Sequence, residues 1–305
     1  MVQMLMQRPQ GLLGSSLCLC DDTSVLKAAS VSSSSSQQPR SHVSHVSLIN
    51  VQASTEKQRE SVMGPNGIAT SEGGSSSSCQ GKLRLFVDSA NVNTWQQWLP
   101  SGTFYGVTTN PILLEKAKVA CHVKSLAVLA NRAFELGAKE VQLQTWGGSV
   151  KELVATGSEL ANIDSSIVVK IPVTKDGLEA ASKLINQGAR VTMTGVYSVH
   201  QVLLAAGVGA SYAAPYLGRM IALGKPGLED ILEMQKIIKG VNSEMRLLVA
   251  SIRSVEQLTT LAAQGVNSFA VPETIVTQLF NDPDTEKAAT EFAQASSRNA
   301  FWLFL

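Results

Sequence analysis

Short apolar stretches alternate with stretches of helical period from Lys82 almost to the end of the chain, and this alternation limits the possible folds more than any other feature. The predicted strands are rich in β-branched and aromatic residues and are bounded by turn signals. They are Leu83–Ser89, Phe104–Asn110, Glu140–Trp146, Ser166–Val173, Arg190–Tyr197, Tyr212–Gly218, Arg246–Arg253 and Ser268–Pro272. The predicted helices are His122–Leu136, Ser149–Ile163, Asp176–Gln187, Leu228–Ile238 and Val255–Ala263, and three of them are followed by possible left-handed caps at Gly137, Gly188 and Gly265. Strands and helices that alternate in this way form parallel βαβ units.

Eight such strands fit a closed (β/α)8 barrel, the TIM-barrel fold of the α/β class. The alternative is an open doubly wound sheet, in which a glycine-rich phosphate-binding turn normally follows the first strand. The turn after the first predicted strand is Asp88-Ser89-Ala90-Asn91, which contains no glycine. The sequence therefore predicts a barrel over residues 82–295.

The residues before the barrel have a different composition. Residues 1–81 include the serine runs 32–36 and 75–78, and the only acids in their first half are Asp21 and Asp22. A serine-rich, acid-poor leader is typical of an organelle transit peptide. We interpret this segment as a disordered plastid transit peptide that is removed in the chloroplast stroma, with a plain disordered tail as the alternative.

Charge and composition argue against several classes of function. The formal net charge is +1, so there is no overall attraction to nucleic acid or to an acidic membrane surface. No apolar run approaches the roughly 18 residues of a membrane-spanning helix. Cys121 is the single cysteine after the leader, which excludes a disulfide framework there, and His122 and His200 alone offer little for a metal centre or a Ser-His-Asp triad.

The carboxyl ends of the barrel strands are where catalytic side chains of this fold lie, so polar residues there are candidates for a site. Asp88 ends the first predicted strand, and Thr109 and Asn110 end the second. The later strands contribute the remaining candidates, which are Gln144, Lys170, Thr194, Tyr216, Arg219, Ser251 and Arg253.

Lys170 is the most informative candidate because it lies inside the apolar run Ile167–Val173. A buried, unpaired ammonium costs several kcal/mol, or the group loses its proton through a lowered pKa. A neutral amine is what imine formation with a ketone requires. The alternative is a structural lysine, which either pairs with Asp88 or points outward between helices. Asp88 is then either an acid/base near the imine or the partner of a charged lysine.

Four other candidates also have two interpretations each. Asn110 precedes a proline, so it either binds substrate hydroxyls or closes a turn. Gln144 either positions a water molecule or satisfies buried backbone groups. Arg219 and Arg253 fit a phosphate dianion, since guanidinium groups match its oxygens, but each alone is also compatible with a surface arginine.

Five motifs along the barrel resemble the transaldolase family, and more closely its small-subunit branch that includes bacterial fructose-6-phosphate aldolase. They are Phe86–Ala90, Gly106–Pro111, Val168–Val173, Ala214–Arg219 and Ala250–Arg253. The resemblance runs from about Lys82 to about Ala293 in an uninterrupted order, and the motifs stand on separate strands.

The resemblance implies a role for each matching residue. Lys170 corresponds to the Schiff-base lysine, Asp88 to the acid/base and Asn110 to the residue that holds substrate hydroxyls, with Thr109 beside it. Thr194 and Gln144 correspond to the pair that positions the catalytic water. Arg219, Ser251 and Arg253 correspond to phosphate-binding positions. The family uses neither a metal nor an organic cofactor, and its members assemble into homo-oligomers, so we expect the same here.

Two departures concern the choice between the branches of the family. Gln144 stands where transaldolases have glutamate, and Tyr216 stands where they usually have phenylalanine. A glutamate can shuttle protons through the catalytic water, whereas a glutamine only orients it and Tyr216 shares the proton handling.

The resemblance implies a Schiff-base transaldolase that transfers a dihydroxyacetone unit between sugar phosphates in the pentose phosphate pathway. The alternatives are a fructose-6-phosphate aldolase that releases free dihydroxyacetone and glyceraldehyde 3-phosphate, and a non-catalytic barrel that binds sugar phosphates. We expect no nucleic-acid or membrane partner. Residues 296–305 form an apolar tail that is atypical of the family.

Overall fold

The computed structural model describes residues 83–300, and its eight strands are all parallel to their neighbours. The strands are β1 (Arg84–Asp88), β2 (Gly106–Thr108), β3 (Glu140–Gln144), β4 (Ile167–Pro172), β5 (Arg190–Val196), β6 (Tyr212–Pro215), β7 (Arg246–Leu247) and β8 (Ser268–Pro272). They follow each other in sequence order around the sheet, and β8 pairs with β1. The predicted (β/α)8 barrel is confirmed.

Eleven helices connect or follow the strands in the described part of the chain. They are α1 (Val92–Trp98), α2 (Pro111–Lys116), α3 (Val123–Glu135), α4 (Val150–Ala161), α5 (Lys175–Asn186), α6 (Gln201–Gly207), α7 (Leu217–Ala222), α8 (Gly227–Gly240), α9 (Val255–Ala263), α10 (Glu273–Phe280) and α11 (Pro283–Ala300). None of the described helices is long and apolar enough to cross a membrane.

Side-chain and glycine caps set the ends of the longer helices. The hydroxyls of Ser149 and Thr174 accept hydrogen bonds from backbone N–H groups in the first turns of α4 and α5. Gly137, Gly188 and Gly265 have φ values of 99°, 88° and 88°, the left-handed conformation that terminates α3, α5 and α9. The predicted helix ends therefore agree with the structure to within a few residues.

The ring of strands closes between β7 and β8 through a short contact. Val249, which follows β7, forms an isolated parallel bridge with Phe269. Its N–H donates to the Ser268 carbonyl at 3.0 Å, and its own carbonyl accepts from the Ala270 N–H at 2.8 Å. On its other side, β8 pairs with β1 over its whole length of five residues.

The barrel interior is packed in its middle and polar at its two ends. Phe86, Val168, Tyr212 and Leu248 belong to the cluster of buried apolar residues that fills the middle. A larger apolar core lies between the strands and the surrounding helices. This arrangement leaves the carboxyl ends of the strands free to carry polar side chains.

A charged network closes the amino-terminal end of the barrel around Glu140, whose side chain is fully buried. Its carboxylate lies 2.8 Å from the Arg190 guanidinium and 3.7 Å from that of Arg84, and it accepts a hydrogen bond from Gln142 at 2.9 Å. Arg84 also donates to the Tyr212 hydroxyl. These contacts join β1, β3, β5 and β6 far from the carboxyl ends.

Seven of the eight predicted strands are shorter in the structure, and two of these differences change where predicted site residues lie. The predicted strand Tyr212–Gly218 stops at Pro215, because the chain turns into α7 at Leu217, and only Arg246–Leu247 of the predicted strand Arg246–Arg253 pairs as a ladder. Arg219 therefore lies on a helix and Arg253 in the loop before α9, not on adjacent strands. The predicted leader 1–81 and the last five residues lie outside the described residues, and α11 continues through Ala300.

Candidate active site

A cavity of about 230 Å³ opens at the carboxyl ends of the strands. Six of the ten predicted site residues line it, and they come from five strand ends around the ring. They are Asp88, Asn110, Lys170, Tyr216, Arg219 and Ser251. Apolar side chains such as Leu113 and Leu248 form its remaining walls. A small cavity with a few convergent polar groups is the usual form of a small-molecule site.

Lys170 stands at the bottom of this cavity on β4 and is 5% exposed. Its Nζ donates to the Thr108 hydroxyl at 2.6 Å and to the Thr109 carbonyl at 3.0 Å. Burial lowers the pKa of its amine, and the nearby Asp88 carboxylate offsets part of that shift. No hydrogen bond or ion pair joins Lys170 to Asp88 among the described contacts, so the two groups interact across the cavity and are not a closed salt bridge.

Asp88 ends β1 on the same side of the barrel and is half-buried. Burial raises the pKa of its carboxyl, while Lys170 and Arg219 act in the opposite direction. A carboxyl with a raised pKa gives up and accepts protons nearer to neutral pH than an exposed aspartate. This position and this pKa suit an acid/base group within the cavity.

Thr194 and Tyr216 form a hydroxyl pair at the ends of β5 and β6, with 2.7 Å between Thr194 Oγ1 and Tyr216 Oη. Burial raises the pKa of Tyr216, so its hydroxyl keeps its proton and can donate it. Gln144 is the direct neighbour of Lys170 in the β3–β4 ladder and is half-buried. Its side chain makes no hydrogen bond to another described residue.

Arg219 projects from α7 at the rim of the cavity. Its guanidinium lies 4.9 Å from the centre of the Tyr216 ring, and its Nη1 donates to the Tyr197 hydroxyl at 3.2 Å. Tyr197 was not among the predicted site residues. Its position directly after β5, at the same carboxyl face as Thr194, is the sequence signal that marks it.

The loop after β7, which carries Ser251 and Arg253, lies against Gly218, the residue before Arg219. Ser251 adopts a φ of 59°, and its carbonyl accepts the Gly218 N–H at 2.9 Å. A Cβ added to Gly218 would lie 2.3 Å from that carbonyl and 2.7 Å from Arg253 Nε. Only glycine therefore allows α7 and the Ser251–Arg253 loop to meet, and this contact brings the two predicted phosphate-binding arginines to one side of the site.

Asn110 and Thr109 both make structural contacts at the end of β2. Asn110 caps α2, because its Oδ1 accepts the Leu113 N–H at 3.1 Å, so the turn interpretation holds while the residue also lines the cavity. Thr109 contributes its carbonyl to Lys170, and its own hydroxyl is buried without a hydrogen-bond partner. The hydroxyl that contacts Lys170 belongs to Thr108. Strand alternation could have identified it, since Thr108 and Asn110 point to the same face.

No group of three or more His, Cys, Asp or Glu side chains in residues 83–300 is arranged to hold a metal ion. The site therefore offers an amine, a carboxyl, hydroxyls and guanidiniums as its chemical groups. The fold and the site together define the class of this protein. It is a (β/α)8 barrel that carries a buried lysine amine at the carboxyl ends of its strands and arginines at the rim of the cavity.

Comparison with known proteins assigns the family within this class. The sequence model described as transaldolase/fructose-6-phosphate aldolase matches residues 85–303. A probable transaldolase of Geobacillus kaustophilus is 32% identical over 69% of this chain and 96% of its own length. Probable transaldolases of Halalkalibacterium halodurans and Methanococcus maripaludis are 32% and 31% identical, each over 69% of this chain and over 97% and 95% of their own lengths. The chain belongs to the transaldolase/fructose-6-phosphate aldolase family, and the assignment made from its motifs is confirmed.

Proposed function

We propose that this protein is a Schiff-base transaldolase that transfers a dihydroxyacetone unit between sugar phosphates in the pentose phosphate pathway. The observation that carries the proposal is Lys170, a buried amine with a lowered pKa whose Nζ stands in the cavity among hydroxyl and carboxyl groups. The family membership and the probable-transaldolase relatives support the same reaction.

In the first half of the proposed reaction, the neutral Lys170 amine adds to the C2 carbonyl of a ketose phosphate. The C2 oxygen takes up a proton from solvent through the Tyr216 hydroxyl and leaves as water, and a protonated imine remains. Asp88 then takes the proton of the C4 hydroxyl. As that hydroxyl becomes an aldehyde, the C3–C4 bond breaks and its electron pair moves through C3 and C2 to the imine nitrogen. The aldose phosphate leaves, and an enamine of dihydroxyacetone remains on Lys170.

In the second half, the enamine carbon attacks the carbonyl of an acceptor aldehyde, and Asp88 returns its proton to the new hydroxyl. Water then adds to the imine carbon, and the product ketose leaves as the neutral amine is regenerated and one proton returns to solvent through the Tyr216 hydroxyl. The Thr194–Tyr216 hydroxyl pair, at 2.7 Å, is well placed to hold this water, with Gln144 beside Lys170 on β3. Arg219 and Arg253 supply cations for the phosphate group of donor and acceptor.

The second candidate function is a fructose-6-phosphate aldolase, which hydrolyses the dihydroxyacetone imine without an acceptor. Gln144 favours it because an amide stands where transaldolases have a carboxylate, and Tyr216 favours it because a phenol stands where they usually have phenylalanine. The two functions share every step up to the enamine, so the fate of that intermediate separates them.

The test is the release of glyceraldehyde 3-phosphate from fructose 6-phosphate with and without erythrose 4-phosphate as acceptor. We expect release to depend on the acceptor, and Gln144→Glu to raise the ratio of transfer to hydrolysis by roughly tenfold or more, since a carboxylate restores the proton shuttle. Gln264→Glu, an exposed glutamine that follows α9, is the matched control and should leave the ratio unchanged. Equal release without acceptor would assign the aldolase function instead.

We also propose that the protein acts in the chloroplast stroma after removal of its leader. The serine-rich, acid-poor composition of residues 1–81 supports this localisation. A fluorescent fusion that carries residues 1–81 should accumulate in plastids, and a fusion that begins at Lys82 should remain diffuse. Diffuse cytosolic fluorescence of the first fusion would refute plastid targeting.

A homo-oligomeric assembly is part of the proposal. Helix α11 buries none of its side chains within the described chain, and Phe292 on it is 73% exposed. An apolar ring exposed on a helix of 18 residues favours contact with a second copy of the protein.

A further inference from the structure

The guanidinium of Arg219 contacts two tyrosines although its side chain lies on the surface. Its helix, α7, has only six residues, and the side chain itself is exposed. A long exposed side chain normally samples many rotamers, and ordering it on binding has an entropic cost. Here the Tyr216 ring lies under the guanidinium at 4.9 Å, and the Tyr197 hydroxyl accepts a hydrogen bond from Nη1 at 3.2 Å.

Tyr197 is itself fixed from several sides. Its ring packs edge to face on Tyr216, with centroids 5.5 Å apart and an angle of 69° between the planes. Its N–H donates to the Gln201 side chain at 2.8 Å, and its carbonyl accepts from Lys225 Nζ at 2.6 Å. The same amine donates to the Ser198 hydroxyl at 3.0 Å. The tyrosine is therefore a rigid support between the end of β5 and α7.

We propose that Tyr197 is a positioning and specificity-determining residue, which orders Arg219 for the phosphate group of the substrate. The inference rests on the proposed function, because it assumes that Arg219 contacts a phosphate. Tyr197 stands outside the group of side chains that line the Lys170 cavity. It acts on binding of the phosphorylated end through Arg219 and leaves the chemistry at Lys170 to other residues.

The variant Tyr197→Phe keeps the ring contact with Tyr216 and removes only the hydroxyl. We expect KM for fructose 6-phosphate to rise roughly three- to tenfold, the scale of one net hydrogen bond, with kcat nearly unchanged. The reaction of dihydroxyacetone with unphosphorylated glyceraldehyde should keep its KM. In an Arg219→Ala background, Tyr197→Phe should have no further effect, because the residue acts through that arginine.

Tyr105→Phe is the matched control. Tyr105 also carries an arginine against its ring, since the Arg84 guanidinium lies 4.4 Å from its centre, but this pair stands with the Glu140 network. The control should leave KM for fructose 6-phosphate unchanged. A loss with Tyr197→Phe that is equal for phosphorylated and unphosphorylated substrates, or that persists in the Arg219→Ala background, would show a merely structural role and overturn the proposal.

Titration with inorganic phosphate separates this inference from the proposed function, because it needs no turnover. If the wild-type protein binds phosphate without turning over fructose 6-phosphate, the proposed function fails. Weaker phosphate binding by Tyr197→Phe, but not by Tyr105→Phe, then still supports the role of Tyr197. Unchanged phosphate binding in both variants, or no phosphate binding by the wild type, contradicts it.

Discussion

Borohydride reduction in the presence of fructose 6-phosphate should add a dihydroxyacetone-derived mass to the peptide that contains Lys170. Lys170→Met should abolish the adduct and lower turnover by roughly a thousandfold or more, because no other group replaces the nucleophile. Methionine fills a similar volume in an environment that already opposes charge, so the variant should stay folded. Peptide mass spectrometry and a steady-state assay measure the two effects.

Lys151→Met is the control, since Lys151 is an exposed lysine on α4. It should retain both adduct and activity. The pH dependence of trapping adds an independent check: the neutral fraction of Lys170 grows as pH rises through its lowered pKa, so half-maximal trapping should occur below the ordinary pKa of lysine. Because the Asp88 carboxylate raises the pKa of Lys170, Asp88→Asn should move that midpoint lower still when free dihydroxyacetone is trapped, a reaction that needs no C3–C4 cleavage. A labelled peptide elsewhere, or an active Lys170→Met protein, would contradict the mechanism.

Arg219→Ala and Arg253→Ala should each weaken productive binding of a phosphorylated ketose by roughly 1.5–3 kcal/mol, the scale of a charge-assisted hydrogen bond. The measurement is kcat/KM with fructose 6-phosphate, compared with the reaction of unphosphorylated dihydroxyacetone and glyceraldehyde. The second reaction should change far less, because neither of its substrates carries a phosphate group that a guanidinium could bind.

Arg132→Ala serves as the control for this pair, since Arg132 lies on α3 in an exposed ion pair with Glu135 at 2.7 Å. It should leave both reactions unchanged. Equal losses with both substrates for Arg219→Ala and Arg253→Ala would mean that the two arginines support the fold instead of binding phosphate.

The sequence predicted the barrel because each of its strands carries a strong local signal. The apolar run around Lys170 and the capping glycines Gly137, Gly188 and Gly265 are features of single segments, and they mark elements wherever these lie in space. The same alternation located the carboxyl ends of the strands, and six of the predicted site residues indeed meet in one cavity.

Apart from α11, which has 18 residues, what the sequence did not predict depends on short elements and on contacts between segments. The helices α2, α6 and α7 have only six or seven residues, too few for a helical period to stand out. The first residues of α7 therefore looked like a continuation of β6, which placed Arg219 at the end of a strand. The support of Arg219 by Tyr197, and the close approach of Gly218 to the Ser251 carbonyl, join residues 22 or more positions apart, and no local pattern reports them.

The barrel closes in such a way that neighbouring strands are joined by unequal numbers of backbone hydrogen bonds. Across the seam between β7 and β8, the described backbone hydrogen bonds both involve Val249, whereas β1 and β8 pair over five residues. Local opening at this seam breaks fewer backbone hydrogen bonds than opening between β1 and β8. Amide hydrogen exchange through local opening should therefore be fastest at the seam. The loop that carries Ser251 and Arg253 begins at the end of that seam. The side of the cavity that is proposed to bind phosphate is thus attached to the seam with the fewest backbone hydrogen bonds. A phosphate bound there should hold this loop against α7 and slow amide exchange along the seam.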